Sequence, residues 1–183
     1  YHSDPVIVKS VETVRCRSNM VWNFKAAASE KLKRQIFTVL EYILENYEIS
    51  RLREYKLTGL QLFYEFCIRE KITDIQLLEL KQETAFQDYL KQKVEKEQRR
   101  KRLKSIVETA RKVIFIETDE TRWDATIWYL ERLRIAKERI NQSDSIEKIS
   151  FQEVLQPKNR LLLQEYMKYE IGIGELALST VYE

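Results

Sequence analysis

An all-α fold is predicted for this chain, and three observations predict it. Only three Gly and two Pro occur in 183 residues, which leaves little turn chemistry for a many-stranded sheet. Apolar residues recur at helical spacing over long stretches. Charged residues make up 33% of the chain, as solvated outer helix faces require, while 44% hydrophobic residues supply a core. The expected organisation is an N-terminal extension over 1–21, a helical bundle over 22–116, and a linker with a truncated second helical module over 117–183.

Residues 1–28 have no clear period; Val6, Ile7, Val8 and Val11 suit a short strand or a loop, and Trp22 and Phe24 read as anchors docking onto the first helix. Ser29 is an N-cap for a helix whose stripe runs Leu32, Ile36, Val39, Leu40, Ile43, Leu44, Tyr47. A second helix opens at Ser50 with two apolar faces, one of Leu52, Tyr55, Leu62, Phe63, Phe66 and Cys67, the other of Leu57, Leu60, Tyr64 and Ile68. A helix apolar on two sides is central to its bundle, and Gly59 inside it marks a close backbone approach. Thr73-Asp74 reads as the next helix start, with Ile75, Leu77, Leu78 and Leu80 in a short element, followed by Phe86, Leu90 and Val94 at i, i+4, i+8.

From Glu95 to Arg102 every residue is polar or charged, predicting a solvated helical strut. Leu103, Ile106, Val107, Ala110, Val113 and Ile114 then restore a stripe, so one long helix or two nearly continuous ones are expected. Asp119–Arg122 breaks the pattern; the stretch from Trp123 to Ile135 suits a helix or an irregular strap, and Asn141–Ser145 is a linker.

A shift of 127 residues then places Phe24 on Phe151, Lys31 on Lys158, Tyr42 on Tyr169 and Glu48 on Glu175, with apolar matches Ile36/Leu163, Leu40/Met167, Leu44/Ile171 and Ile49/Leu176. The alternative is that two amphipathic helices slide into agreement without being a repeat. On the repeat reading a helix runs from about Lys158 to Ile171 with Gly172 as its C′ residue, and Thr180 and Glu183 have capping-box spacing for a further helix. The second copy would then stop short of its partner helix, and a fragment is expected; the opening Tyr1 fits an excised segment.

Several chemistries lack material. The one histidine, His2, cannot build a triad, a two-His metal site or an acid–base pair. Cys16 and Cys67 fit no metal or redox spacing, and Cys67 falls on an apolar face. Gly172-Ile173-Gly174 is a helix terminus rather than a phosphate loop, and Glu117, Asp119 and Glu120 have no calcium-loop spacing. No run approaches the roughly 18 apolar residues of a membrane span, and no secretory leader is seen. The expectation is a cytoplasmic protein with no catalytic residue, metal site or cofactor.

The functional signal is charge. Lys91, Lys93, Lys96, Arg99, Arg100, Lys101, Arg102 and Lys104 stand against only Glu95 and Glu97, a surplus larger than the +3 of the whole chain. Cations on an exposed helix attract phosphates and release condensed counterions. Nucleic-acid contact is one reading; a solvated face or a hinge is the other. Ser50, Arg51, Arg53 and Lys56 form a second candidate at a helix start, where free N–H groups and the dipole favour phosphate. There, pairing of Arg51 and Arg53 with Glu48 and Glu54 stays open. Tyr42, Tyr47, Tyr55, Tyr64 and Tyr89 lie on or beside apolar stripes and read as core or rim rather than base-stacking platforms.

The run LKRQIFTVLEYILENYEISRLREYKLTGLQLFYEFC, followed by ITDIQLLELKQETAFQDYLKQK, resembles the N-terminal SAM-like, core-binding region of tyrosine recombinases, the phage integrases and their transposon-encoded relatives. The segment ISFQEVLQPKNRLLLQEYMKYEIGIGELALSTVYE looks like the opening of a further such module. The resemblance covers roughly 22–93 and 149–183. It implies helical modules that clamp duplex DNA and assemble as multimers, with a separate catalytic domain whose arginines, lysine, histidines and nucleophilic tyrosine have no counterpart here. It therefore implies binding of double-stranded DNA without cleavage by this chain, in a parent enzyme that cuts and rejoins DNA. By position, the DNA-facing helix start corresponds to Ser50, Arg51 and Arg53, and in the second copy to Ser179 and Thr180. The run from Lys91 to Lys104 is not a family motif and stands on charge alone. A competing class is a helical protein-interaction or self-association module; a nuclease or transposase with its own active site is disfavoured because the needed residues do not cluster.

Overall fold

The computed structural model describes residues 22, 24, 25, 27–133, 135, 139 and 147–173. The strand-or-loop reading of Val6–Val11, together with His2, Cys16, the linker at Asn141–Ser145, Ser179, Thr180 and Glu183, lies outside the described residues. The architecture is mostly helical: α1 (Glu30–Asn46), α2 (Arg51–Arg69), a 3-10 turn (Ile75–Leu77), α3 (Leu80–Lys93), α4 (Glu97–Lys104), α5 (Ile106–Glu117), and α6 (Pro157–Ile173). One small antiparallel ribbon, β1 (Ile127–Tyr129) with β2 (Lys148–Ser150), interrupts the helices. The chain divides into two compact units, the first ending at Ile114 and the second made of Phe115 onward plus the excursion Gln76–Leu80.

In the first unit α1 starts where a hydroxyl can satisfy an orphan amide. Ser29 accepts from the Leu32 N–H at 3.1 Å and donates to the Thr73 carbonyl at 3.1 Å. The helix buries Leu32, Ile36, Val39 and Ile43, as the stripe predicts, and also Gln35. The Gln35 amide donates to Asp74 at 2.6 Å and accepts from the Ile75 N–H at 2.9 Å, while the Lys31 ammonium lies 2.6 Å from the other Asp74 oxygen. Asp74 therefore serves α1 instead of opening a helix, and only one 3-10 turn follows. A buried carboxylate requires such partners. Asp74→Ala is expected to cost about 1–3 kcal/mol, read as a lower urea midpoint at unchanged slope.

Helix α2 is buried on two sides, through Leu57, Leu60, Phe63, Tyr64, Phe66 and Cys67, whereas Leu52 in its first turn is exposed. Phe24 packs on both helices, its ring 6.1 Å from Phe37 of α1, where the sequence predicts it to dock, and 5.8 Å from Tyr64 of α2. The helix ends on Lys71 at φ 54°, with the Ile72 N–H on the Cys67 carbonyl and the Lys71 N–H on that of Ile68, a Schellman closure without glycine. Phe63 and Phe66 pack on Phe86 of α3, at 5.1 and 5.3 Å. Arg111 of α5, buried, pairs with Glu83 of α3.

The predicted strut is broken. Helix α3 stops at Lys93, the chain turns through Val94–Lys96, and α4 is separated from α5 by Ser105 alone. Two contacts hold the break. Arg100 donates to the carbonyls of Val94 and Glu95, and Leu103 is fully buried beside α2. The close approach that Gly59 signals is to α4: a Cβ there would lie 3.0 Å from the Leu103 carbonyl oxygen and 3.2 Å from the Ile106 Cβ.

The second unit is built on the aromatic stretch, which is a short strand and a 3-10 turn rather than a helix. Trp128 packs edge-on to Trp123 and Phe151 at 4.9 and 4.6 Å, over Ala125, Ile149, Met167 and Ile171. Thr126 donates its N–H and hydroxyl to the Gln76 carbonyl at 2.9 and 3.1 Å, and Gln152 donates to that of Leu78 at 3.1 Å. Arg160 forks onto Glu79 at 2.7 and 2.9 Å. These bonds recruit Gln76–Leu80 to this unit. Arg132 closes the end of α5 by donating to the carbonyls of Ile116 and Thr118 at 3.0 and 2.6 Å.

Helices α1 and α6 are each 17 residues long and their limits are offset by the predicted 127 positions. Their buried faces are not equivalent. Met167 and Ile171 are buried where Leu40 and Leu44 are half-buried, and Leu163 is exposed where Ile36 is buried. Gly172 lies within α6 and has no positive φ, so it is not a C′ residue. No helix among the described residues is long and apolar enough to cross a membrane.

Candidate nucleic-acid interface

The structure sorts the twelve candidate residues by burial and partners. Ser50 is the α2 N-cap, its side chain accepting from the Arg53 N–H at 3.4 Å, so its hydroxyl is committed to the helix. Arg53 is buried, and desolvation lowers its guanidinium pKa. It belongs to the core of the first unit. Arg51, two residues earlier, is exposed. Lys56 is half-buried and donates to Thr109 at 2.6 Å and Ser105 at 3.3 Å; desolvation lowers its pKa, opposed by the Glu108 carboxylate.

On α4, Arg100 is spent on the Val94 and Glu95 carbonyls. Lys101 makes one exposed pair with Glu97 at 2.9 Å, and that ammonium holds the Glu97 carboxyl below its ordinary range. Exposed pairs of this kind are weak and yield readily to a phosphate. Arg102 lies with its guanidinium 5.1 Å from the Tyr55 ring centroid. Lys96, Arg99 and Lys104 are exposed and carry no ion pair among the described residues.

Two clusters some 45 residues apart in sequence thus meet at two points. Tyr55 sits one turn after Arg51 on α2 and under Arg102 of α4, while Lys56 reaches Ser105 at the α4–α5 junction. Nothing in the apolar periodicity distinguishes Tyr55 from a core residue. Its place between two arginines at i−4 in sequence and across the helix pair is a tertiary fact.

Lys91 and Lys93 lie in the last turn of α3. Lys91 pairs with Asp88 at 2.8 Å, and Lys93 and Arg69 lie over the Tyr89 ring at 5.6 and 4.6 Å. Tyr89 packs on Phe66, which is eleven residues along α2 from Tyr55, or about 16 Å at 1.5 Å per residue. Arg69 joins this second cluster and was not singled out by charge density, because its neighbour Glu70 cancels it in sequence and pairs with it at 2.9 Å.

Between α3, α4 and α5 a pocket of about 310 Å³ opens beside Lys101, Lys104 and Ser105, but Glu83 and Glu108 also line it, so its charge is mixed. Among the described residues no group of three His, Cys, Asp or Glu side chains is placed to hold a metal ion. No protein-family model matches the chain, and neither curated proteins nor solved structures yielded a match.

Proposed function

We propose that the first unit binds the sugar–phosphate backbone of double-stranded DNA, as the DNA-binding portion of a site-specific tyrosine recombinase or integrase whose cleavage chemistry resides outside this chain. The observation that carries the binding reading is a set of exposed cations, Arg51 at the start of α2 and Lys96, Arg99, Lys101, Arg102 and Lys104 on or beside α4, of which, among the described residues, only Lys101 is engaged by a carboxylate. Exposed cations on a helix attract phosphates at long range, and backbone contacts of this kind position a duplex without reading its sequence. The recombinase assignment rests on the resemblance of the first two helices and of the segment from Ile149.

The test is fluorescence anisotropy with a labelled duplex over a series of salt concentrations, comparing the parent chain with a variant carrying Arg99→Ala, Lys101→Ala, Arg102→Ala and Lys104→Ala. Arg100 is left in place because it closes the α3–α4 turn. Four lost phosphate contacts would shallow the slope of log affinity against log salt by about 3.6 and weaken binding about a thousand-fold near 0.1 M salt. An unchanged slope would remove α4 from the interface.

A further inference from the structure

Lys56 of α2 is half-buried, and its Nζ lies between two hydroxyls, 2.6 Å from that of Thr109 on α5 and 3.3 Å from that of Ser105. Both hydroxyl hydrogens are already engaged: Ser105 donates to the Arg102 carbonyl at 2.8 Å, and Thr109 to the Ser105 carbonyl at 3.1 Å. Toward Lys56 each hydroxyl therefore acts as an acceptor. A neutral amine has two N–H groups and one lone pair. With the two N–H groups on Thr109 and Ser105, the lone pair is left with no donor among the described residues. The same network disfavours Ser105 as a nucleophile, since its proton goes to a helix carbonyl rather than to the amine. Desolvation pushes the Lys56 pKa down, opposed by the Glu108 carboxylate, so the neutral form is more accessible than in an ordinary lysine.

Ser105 also lines the pocket of about 310 Å³, where Lys101 and Lys104 supply positive charge and Phe86 and Val107 an apolar wall. Of the two carboxylates in that lining, Glu83 is paired with buried Arg111 and Glu108 is the one that acts on Lys56. Arg102, over the ring of Tyr55, adds a further cation from α4. We infer that Lys56 is a nucleophilic amine and a site of N-acylation by a small acyl phosphate, which Lys101 and Lys104 draw to it. An acyl phosphate suits this arrangement because its anion is also its leaving group, so the cations that attract it stabilise its departure as well. The Nζ lone pair attacks the carbonyl carbon, an N–C bond forms, and the bond from that carbon to the phosphate oxygen breaks. Phosphate leaves with the electron pair and takes up the proton that Nζ sheds, giving an amide and hydrogen phosphate. The amide has no positive charge; on the function proposed above, the acylated chain would bind a duplex less tightly at low salt.

The test is acetyl phosphate added to the full chain, with acetyl-lysine located over time by peptide-mapping mass spectrometry. Lys96 and Lys158 are internal controls, both exposed and without an ion pair among the described residues. Lys56 is expected to be acetylated at least about ten-fold faster than either, the order of enrichment that a cationic cleft gives a small anion. Its rate should rise with pH and level off below the ordinary lysine range. Changing two exposed side chains, Lys101→Ala with Lys104→Ala, should lower the Lys56 rate with acetyl phosphate several-fold more than its rate with the neutral N-hydroxysuccinimidyl acetate. Acetylation of Lys56 no faster than that of Lys96 and Lys158 would overturn the inference. Equal losses with the two reagents in the double variant would overturn the part given to Lys101 and Lys104. None of these readouts involves DNA, so the site and duplex binding are tested separately.

Discussion

Gly59→Val is expected to destabilise the first unit by about 1–3 kcal/mol and, on the function proposed above, to weaken duplex binding with it. A residue with a side chain should favour an α-helix over glycine by up to ~1 kcal/mol, so local propensity alone predicts a gain. Tertiary packing reverses the sign. The Cβ position is already 3.0 Å from a backbone carbonyl oxygen and 3.2 Å from the Ile106 Cβ, and valine adds two methyl groups to a space with no room for the first carbon. Backbone cannot swing aside as a flexible side chain does, so α4 must move off α2. That motion separates Arg102 from Tyr55 and Ser105 from Lys56, the contacts by which side chains of α2 meet α4 and the residue after it. Urea denaturation gives the stability change, and anisotropy at fixed salt gives the binding loss. Gly59→Ala should lie between, its helix gain offset by the same close contact. A valine variant as stable as the parent would mean that α4 does not pack on α2 as described.

The second large effect is Trp128→Ala, expected to cost about 3–5 kcal/mol and to be felt in the second unit. Trp128 is fully buried and touches both Trp123 and Phe151, so truncation leaves a cavity walled by aromatic rings that cannot collapse without losing their edge-on geometry. The buried indole N–H has no acceptor among the described residues. Trp128→Phe should therefore cost less than its lost volume suggests, because it also removes a desolvated donor. Thermal unfolding followed by tryptophan fluorescence and by circular dichroism would read both variants. An alanine variant with the parent's midpoint would contradict the central place of this ring.

How much was legible in the sequence depends on whether the deciding interaction was local. The stripe from Leu32 to Ile43, the Ser29 and Ser50 caps and the exclusion of a large sheet follow from spacing and composition, and the structure has those helices with those caps. Phe24 docking on the first helix was readable because an aromatic just before an amphipathic helix has that helix within reach, but its closer contact with Tyr64 of α2 was not. The ribbon of Ile127–Tyr129 with Lys148–Ser150 was not, since three-residue strands carry too few residues for a period to emerge. Nor was Gln76–Leu80 readable as part of the second unit, because the Thr126, Gln152 and Arg160 bonds that hold it come from 48 to 81 residues away.

The candidate surface divides in the same way. Charge density found the cations of α4, because eight basic residues in a short run are visible without any fold. It could not tell that Arg53 is buried, that Arg100 is a turn staple, or that Lys93 lies over the Tyr89 ring and Lys91 pairs with Asp88. Burial and pairing depend on which helices meet, and side chains identical in sequence differ entirely once packed.

By itself the sequence determined the helical class, the positions and starts of the first two helices, and where positive charge accumulates, since each depends on residues within a turn or two of one another. Only the tertiary structure decided that α4 lies against Gly59, which basic residues remain at the surface, and that α6 turns an apolar face to solvent. Those outcomes are set by contacts between distant residues, where a few tenths of an ångström at one glycine outweigh the propensity of a whole helical turn.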